Sequence, residues 1–308
     1  MKARLAVFGA VALGLFACGG PGAKAPVART GDLPGAFAGA FQVEANGDPR
    51  AATAAYLDVV RTAAALEGDP WQVPALEASL DALATRSMPE LGEASSDAAL
   101  AWRTADPGAI VQALSQVDSH GVFARSLVAH TLQAMAERRG DAADAERQRV
   151  STGCVREAVV LGPTTWAPIT GVEEAGPLDH ADAKLAAAYP RGDAFGTAAH
   201  PLPVHGDGCD LPLAAESAKS GVREVVVDVE VPSGGVVGFA LRAHGAAVLH
   251  AGGNVVLRRP FELGTGEAVR FARVTAAPGT LRVVARVGSA SEDDTVELDV
   301  LGEDGAPL

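Results

Sequence analysis

Aromatic side chains are scarce in this chain, at 5% of its 308 residues. Surfaces that bind carbohydrate usually stack sugars on exposed tryptophan or tyrosine, so a glycan site here would depend on very few side chains. Basic residues are also outnumbered, with 25 Lys and Arg against 38 Asp and Glu and a formal net charge of −13. This acidic balance argues against nucleic acids and anionic lipids as partners, because both are bound by clustered Lys and Arg.

Motifs of several large enzyme classes are missing. The sequence contains no phosphate-binding loop, no dinucleotide fingerprint and no serine-hydrolase motif. We therefore expect a non-catalytic protein without a cofactor. Its cores must be built from alanine, valine and leucine, because alanine and glycine are abundant and rings are few.

The N-terminal segment has the pattern of an export signal. Lys2 and Arg4 precede an apolar stretch over residues 5–16, and small residues follow. The stretch is shorter than the about 20 residues that a membrane-spanning helix needs. An uncleaved membrane helix and an ordinary signal peptide with an incidental cysteine remain the alternatives.

The end of this segment, Leu15-Phe16-Ala17-Cys18, resembles the lipobox of bacterial lipoproteins. The resemblance implies that residues 1–17 are a signal peptide and that Cys18 is lipidated and becomes the new N-terminus. Lipoproteins of this family carry three acyl chains, which implies permanent membrane attachment, whereas one chain binds only marginally. Gly19 follows the cysteine instead of the aspartate that retains some lipoproteins at the inner membrane. This favours the outer membrane of a Gram-negative-type envelope, on its periplasmic or surface face.

Two further cysteines, Cys154 and Cys209, follow in the second half of the chain. In an oxidising envelope compartment two leftover cysteines most simply form a disulfide. Two unrelated buried thiols are the alternative.

The first half of the chain has helical periodicity. Residues 18–46 are rich in Gly, Ala and Pro and are predicted to form a flexible tether, and residues 47–150 are predicted to form a helical domain. Residues 124–147 resemble a degenerate tetratricopeptide repeat, with small residues around the turn Gly140-Asp141. A plain helical bundle remains the alternative, because no period of about 34 residues is found.

The second half changes to strand patterns. Valine alternates with charged residues over residues 225–231 and 296–300. Such alternation is typical of half-buried strands, whose charged residues, here Glu224, Glu297 and Asp299, face away from the core. The predicted fold class is α+β and multidomain, with N-terminal α-helical hairpins followed by an antiparallel β-sandwich or jelly roll over residues 151–308.

Three short segments carry a further resemblance: residues 159–163, the predicted hairpin around Gly253-Asn254, and residues 298–305. With them the region resembles the galactose-binding-type β-sandwich of large exported bacterial proteins. The resemblance implies a fold and no catalytic residue, and a fold does not by itself give a function.

Several polar clusters are candidates for chemistry. His200, His205 and Cys209 are three of the four ligands that a structural zinc site needs. Cys209 could act as a nucleophile only with a base such as His244 or His250, but its acidic neighbours would raise the thiol pKa. Calcium could be held by the acidic turns, Glu292-Asp293-Asp294 or Asp207 with Asp210. Surface loops and solvated turns are the alternatives in each case.

Tryptophan supplies the remaining candidate. Trp166 follows a predicted strand and could contact a glycan, although a core position is the alternative, whereas Trp71 and Trp102 are expected in the helical core. The sequence thus favours a lipid-anchored scaffold or binding protein for an envelope protein partner. The alternative is a lipid-anchored module that recognises envelope or extracellular glycan.

Overall fold

A computed structural model describes residues 32–66, 68–86, 106–181, 183–189, 198–213, 220–261, 269–290 and 294–308. The lipobox with Cys18, part of the predicted helical domain and Trp102 lie outside these ranges. No described helix is both long enough and apolar enough to cross a membrane.

Six helices are described before the first strand. They are α1 (Leu33–Ala45), α2 (Pro49–Ala65), α3 (Gln72–Arg86), α4 (Pro107–Ser115), α5 (Ala124–Arg138) and α6 (Ala142–Thr152). Aspartates cap four of them, because Asp32, Asp48, Asp106 and Asp141 each accept a hydrogen bond from a first-turn backbone amide. At the other end of α6, Gly153 has a φ of 79°, which glycine adopts at no steric cost.

Helix α1 corrects the predicted tether. Residues 18–46 were expected to be flexible, yet Leu33–Ala45 is helical. Leu33 and Ala40 are buried and Phe37 packs against the same core, with its ring centroid 5.8 Å from that of Tyr56. The high Gly and Ala content concealed this apolar face, which is narrow and gains its stability from packing on α2.

In the described residues after α6 there are ten strands: β1 (Glu157–Thr165), β2 (Leu202–His205), β3 (Leu211–Pro212), β4 (Gly221–Val231), β5 (Gly235–Ala243), β6 (Ala247–Ala251), β7 (Asn254–Arg259), β8 (Arg270–Ala276), β9 (Gly279–Ser289) and β10 (Thr295–Leu301). They form a six-stranded sheet in the order β2-β1-β4-β9-β6-β7 and a four-stranded sheet in the order β3-β10-β5-β8. Every strand pair is antiparallel. The valine- and leucine-rich inner faces of both sheets share one core, so the predicted α+β fold with a C-terminal β-sandwich is confirmed.

The helices cover the outer face of the four-stranded sheet. The rings of Phe123 and Phe271 lie 4.9 Å apart, centroid to centroid, across this contact. Gly238 on β5 allows the close approach, since a Cβ there would lie 2.0 Å from the Val122 Cγ1 atom. The molecule therefore has three layers, which are helices, the four-stranded sheet and the six-stranded sheet.

This third layer corrects the prediction for the charged face of β10. Glu297 and Asp299 were expected to face solvent, but their side chains are only 14% and 3% exposed. Both contact His130 of α5, whose Nε2 lies 2.8 Å from Asp299 and whose Nδ1 lies 3.3 Å from Glu297. The alternation correctly predicted which residues share a face of β10. The face that carries Glu297 and Asp299 is covered by the helices and not by solvent.

The outer face of the six-stranded sheet is partly covered as well. Residues 166–181 and 183–189 lie over it and form the covering segment, which includes a short 3₁₀ helix at Gly171–Glu173. Leu178 and Tyr189 of this segment pack against Val226 and neighbouring apolar side chains. Glu224, also predicted to face solvent, is consequently fully buried.

Candidate functional site

The chain changes sheets immediately after α6. Cys154 forms an isolated antiparallel β-bridge with Asp299 of β10 through the backbone. The Val155 amide donates a hydrogen bond to the Leu298 carbonyl at 2.8 Å. From Glu157 onward the chain belongs to the other sheet, as β1. The segment between them therefore crosses the end of the sandwich from one sheet to the other.

Because the chain crosses here, the last residues of β4 have no paired strand among the described residues on the side of β1. The β1–β4 register ends at Val159↔Val226. On its other side β4 remains paired with β9 as far as Val231↔Gly279. Within the described chain, residues 227–231 thus have a strand partner on the β9 side alone.

An open groove of about 650 Å³ lies beside this edge. We call it the end groove, and it is lined by residues 154–157, His205, residues 227–230, Val300 and Leu308. Its apolar floor comes from valines of both sheets and from Leu308, while its rim is charged. A second depression of about 490 Å³ shares part of the rim and continues along the outer side of β1 and β2.

A disulfide fixes one wall of the end groove. Cys154 and Cys209 are bonded, with Cα atoms 5.5 Å apart, which confirms the predicted pairing. The bond ties the turn after β2, where Asp207 bridges to Asp210, to the crossing segment. His205, the last residue of β2, is thereby positioned on the rim.

Acidic groups predominate on the rim. Asp228 accepts two hydrogen bonds from Arg282, both at 2.7 Å, and this pairing raises the pKa of Arg282. Arg156 pairs with Glu146 at 3.0 Å, outside the groove. Glu157 has an 84% exposed side chain and lies 3.8 Å from the His205 Nδ1 atom.

The remaining acid, Glu230, accepts a hydrogen bond from Thr280 at 2.6 Å. No ion pair of Glu230 is found within the described part of the chain. The rim can therefore attract cationic groups.

The predicted zinc loop is not assembled as a metal site. Cys209 is in the disulfide, so its thiolate is not available as a ligand. His200 is hydrogen bonded through Nδ1 to the Ala187 carbonyl at 2.9 Å, and His205 lies on the groove rim. The same disulfide removes Cys209 as a nucleophile for His244 or His250.

The donor group that sequence reasoning missed is His130 with Glu297 and Asp299, whose ligand atoms lie within 4.8 Å of one another. Both imidazole nitrogens already face carboxylate oxygens, and Arg242 pairs with Glu297 at 2.6 Å. Ser126 donates to Asp299 rather than to His130, so no serine triad is formed. Existing partners therefore account for this cluster, which joins the helices to the four-stranded sheet.

The acidic turns considered for calcium have other roles where they are described. Asp294 accepts hydrogen bonds from the Ser289 hydroxyl and the Ala290 amide, which closes a turn. Asp207 and Asp210 pair through their backbones. Glu292 and Asp293 lie outside the described residues.

Trp166 lies at the other end of the sandwich, directly after β1. Its side chain is 67% exposed and that of nearby Ile169 is 51% exposed, so the alternative of a core position is wrong. Trp71 is 54% exposed, which also corrects its predicted core position. The reason is its place in the turn before α3, where its amide donates to Asp69 instead of continuing the helix.

A buried polar cluster lies under the covering segment. Glu224 lies 3.7 Å from the Nε atom of Arg286, and Asp179 lies between Arg286 and His250. Burial raises the pKa of Glu224 to about 7 despite the nearby guanidinium, and burial lowers the pKa of His250. The cluster has no described opening to solvent comparable to the end groove, and it holds the covering segment to the sheet.

Comparisons with known proteins give a partial likeness of fold. No protein-family model and no curated protein matches the chain. A β-glucosidase from Kluyveromyces marxianus aligns with a TM-score of 0.30 and 11% identity, over 47% of this chain and 16% of that one. An adhesin domain of Lys-gingipain from Porphyromonas gingivalis aligns with a TM-score of 0.22 and 14% identity, over 32% of this chain and 74% of that one.

A family 35 carbohydrate-binding module from Clostridium thermocellum aligns with a TM-score of 0.21 and 17% identity, over 32% of this chain and 78% of the module. The chain thus spans about one sixth of the glucosidase. At these scores the likeness carries no argument about fold or function.

Proposed function

We propose that the protein is a non-catalytic lipoprotein of the cell envelope that binds a polypeptide partner in the end groove. Cys18 carries the lipid anchor, and the outer membrane is the favoured location. The partner is another envelope protein, and the sandwich and helices together act as its scaffold.

The observation that supports this proposal is the one-sided edge of β4. An extended peptide can add to such an edge through main-chain hydrogen bonds, while pockets for alternate side chains supply specificity. The end groove provides both the edge and an apolar floor. The described residues that line it include no Phe, Tyr or Trp, which makes it a poorer surface for stacking sugars than for packing aliphatic side chains.

Site-specific photo-crosslinking in the native envelope tests the groove. A photoreactive amino acid replaces His205 on the rim, and in a matched control it replaces the exposed Glu174 of the covering segment. We expect a discrete protein adduct from position 205 and none from position 174 after solubilisation in detergent. Adducts of the same size from both positions, or none from position 205, would contradict the proposal.

The anchor is tested separately. Replacing Cys18 with serine removes the sulfur that would carry lipid. We expect the protein to move from the membrane fraction to the soluble fraction, as followed by ultracentrifugation and blotting. Unchanged sedimentation with membranes would refute a lipid anchor at this residue.

The exposure of Trp166 supports a second candidate, a glycan-binding surface at the opposite end of the sandwich. Aromatic rings at such positions can stack on sugars. A glycan array with the purified protein, repeated with Trp166→Ala, provides the test. A binding signal that the variant loses supports this function, whereas a blank array at high protein concentration rejects it.

A further inference from the structure

We infer that the end groove selects an extended segment in which basic residues alternate with β-branched apolar ones. This inference rests on the proposed function and names the chemistry of the partner. The segment adds to β4 as a strand along residues 227–231, where the register with β1 has ended.

The side-chain alternation of β4 gives the first half of this specificity. Val227, Val229 and Val231 face the sandwich core, as their packing in it shows. Asp228 and Glu230 lie on the opposite face and are exposed. A strand added beside β4 follows the same alternation, because facing residues on neighbouring strands point to the same side of a sheet.

The charges on the rim determine which residues fit the outer positions of the added strand. An incoming residue opposite Glu230 meets a carboxylate that has no ion pair among the described residues, and Glu157 adds an 84% exposed carboxylate on the same rim. The nearby cations already have partners, since Arg282 pairs with Asp228 and Arg156 with Glu146. Lysine or arginine therefore fits the outer positions of the added strand.

The inner positions face an apolar floor. The apolar residues that line the groove are Val155, Val227, Val229, Val300 and Leu308. The five residues 227–231 span about 16 Å at the usual rise of a strand, so a strand added along all of them is also five residues long. The best complement is thus apolar-basic-apolar-basic-apolar, as in Val-Lys-Val-Lys-Val.

Fluorescence anisotropy with labelled peptides tests this inference on the full-length protein in detergent. The probe carries Val-Lys-Val-Lys-Val between Gly-Ser flanks. A second peptide replaces both lysines by glutamate, and a third keeps the composition but groups the lysines together. We expect the alternating basic peptide to bind and both controls to bind at least about fivefold more weakly, because opposite-charge pairs across strands stabilise and like-charge pairs destabilise.

The variant Glu230→Lys is the decisive perturbation. It should weaken binding of the basic peptide by about fivefold or more and strengthen binding of the acidic one. Glu174→Lys, which makes the same charge change outside the groove, should leave both affinities unchanged. Thermal unfolding of both variants establishes that they are folded.

The outcomes separate the inference from the proposed function. Equal binding of basic and acidic peptides, or no effect of Glu230→Lys, overturns the basic specificity. If no peptide binds while photo-crosslinking at position 205 still captures a partner, the strand-addition inference is wrong and groove binding stands. Loss of both signals rejects both.

Discussion

The substitution Glu224→Gln should make the protein more stable above neutral pH. Glu224 is fully buried between β4 and the covering segment. Its carboxylate competes with Asp179 for a single guanidinium, that of Arg286, and burial lowers the pKa of neighbouring His250. Burial of the carboxylate is the main reason that the pKa of Glu224 rises to about 7, and the charge of Asp179 adds to the rise while that of Arg286 opposes it.

The sign of the effect follows from proton linkage. In the unfolded chain the carboxyl has its ordinary pKa of 4.5, and in the folded protein its pKa is about 7. The folded state binds the proton more tightly, so stability is highest below the unfolded pKa and falls as pH rises towards 7. This rise in the pKa corresponds to about 3 kcal/mol, most of which is lost between pH 5 and pH 8.

Urea denaturation at pH 5 and pH 8 measures this loss. The native protein should lose on the order of 2 to 3 kcal/mol more of its unfolding free energy across this range than Glu224→Gln does. The exposed control Glu174→Gln should keep the native pH dependence. The reasoning is refuted if Glu224→Gln shows the same pH dependence as the native protein.

Three further substitutions test the contacts that join the layers. Replacing His130 with alanine leaves Asp299 buried without its imidazole, and we expect a loss of about 3 kcal/mol in urea unfolding, with no change if the pair is dispensable. Gly238→Val places new atoms against Val122, and a loss of about 1–3 kcal/mol in unfolding free energy is expected, whereas unchanged stability would show that the helices can move away. Replacing both disulfide cysteines with serine frees a loop of 55 residues. The expected loss is about 4 kcal/mol, checked by unfolding with and without reductant, and reductant sensitivity in the double variant would contradict the assignment.

Features that depend on local periodicity or on a simple count were predictable from the sequence. Valine alternation over residues 225–231 and 296–300 predicted strands of a sandwich, and both are strands. Two cysteines in a chain with a predicted export signal predicted the disulfide, which is formed. These predictions needed no information on which elements meet in space.

Features that depend on a distant partner were not predictable. Alternation shows that Asp299 lies on the polar face of its strand, but its partner His130 is 169 residues earlier in the chain. Glu224 was similarly assigned to a solvated face, because nothing in its local pattern reveals the covering segment. In both cases the missing information was which distant part of the chain covers that face of the strand, namely the helices over Asp299 and the covering segment over Glu224.

The end groove was out of reach for a related reason. The groove exists because the chain pairs with β10 at Cys154, in one sheet, and pairs with β4 only from Val159 onward, in the other sheet. Strand β4 therefore extends beyond the point where its pairing with β1 ends. A sequence pattern gives the length of a strand and not the point at which its partner leaves it. The lipobox remains a prediction from residues 15–18, and it predicts a location without describing any surface of the protein.

The docking of helices onto the four-stranded sheet limits how the chain can be divided. A fragment that begins after α6 would expose Phe271 and leave Asp299 without His130, because both now contact helical residues. Such a fragment would expose an apolar surface around Phe271, beside the carboxylates of β10. The exposed apolar surface favours self-association of the fragment. The sandwich should therefore be expressed, or fused to another protein, together with the helices.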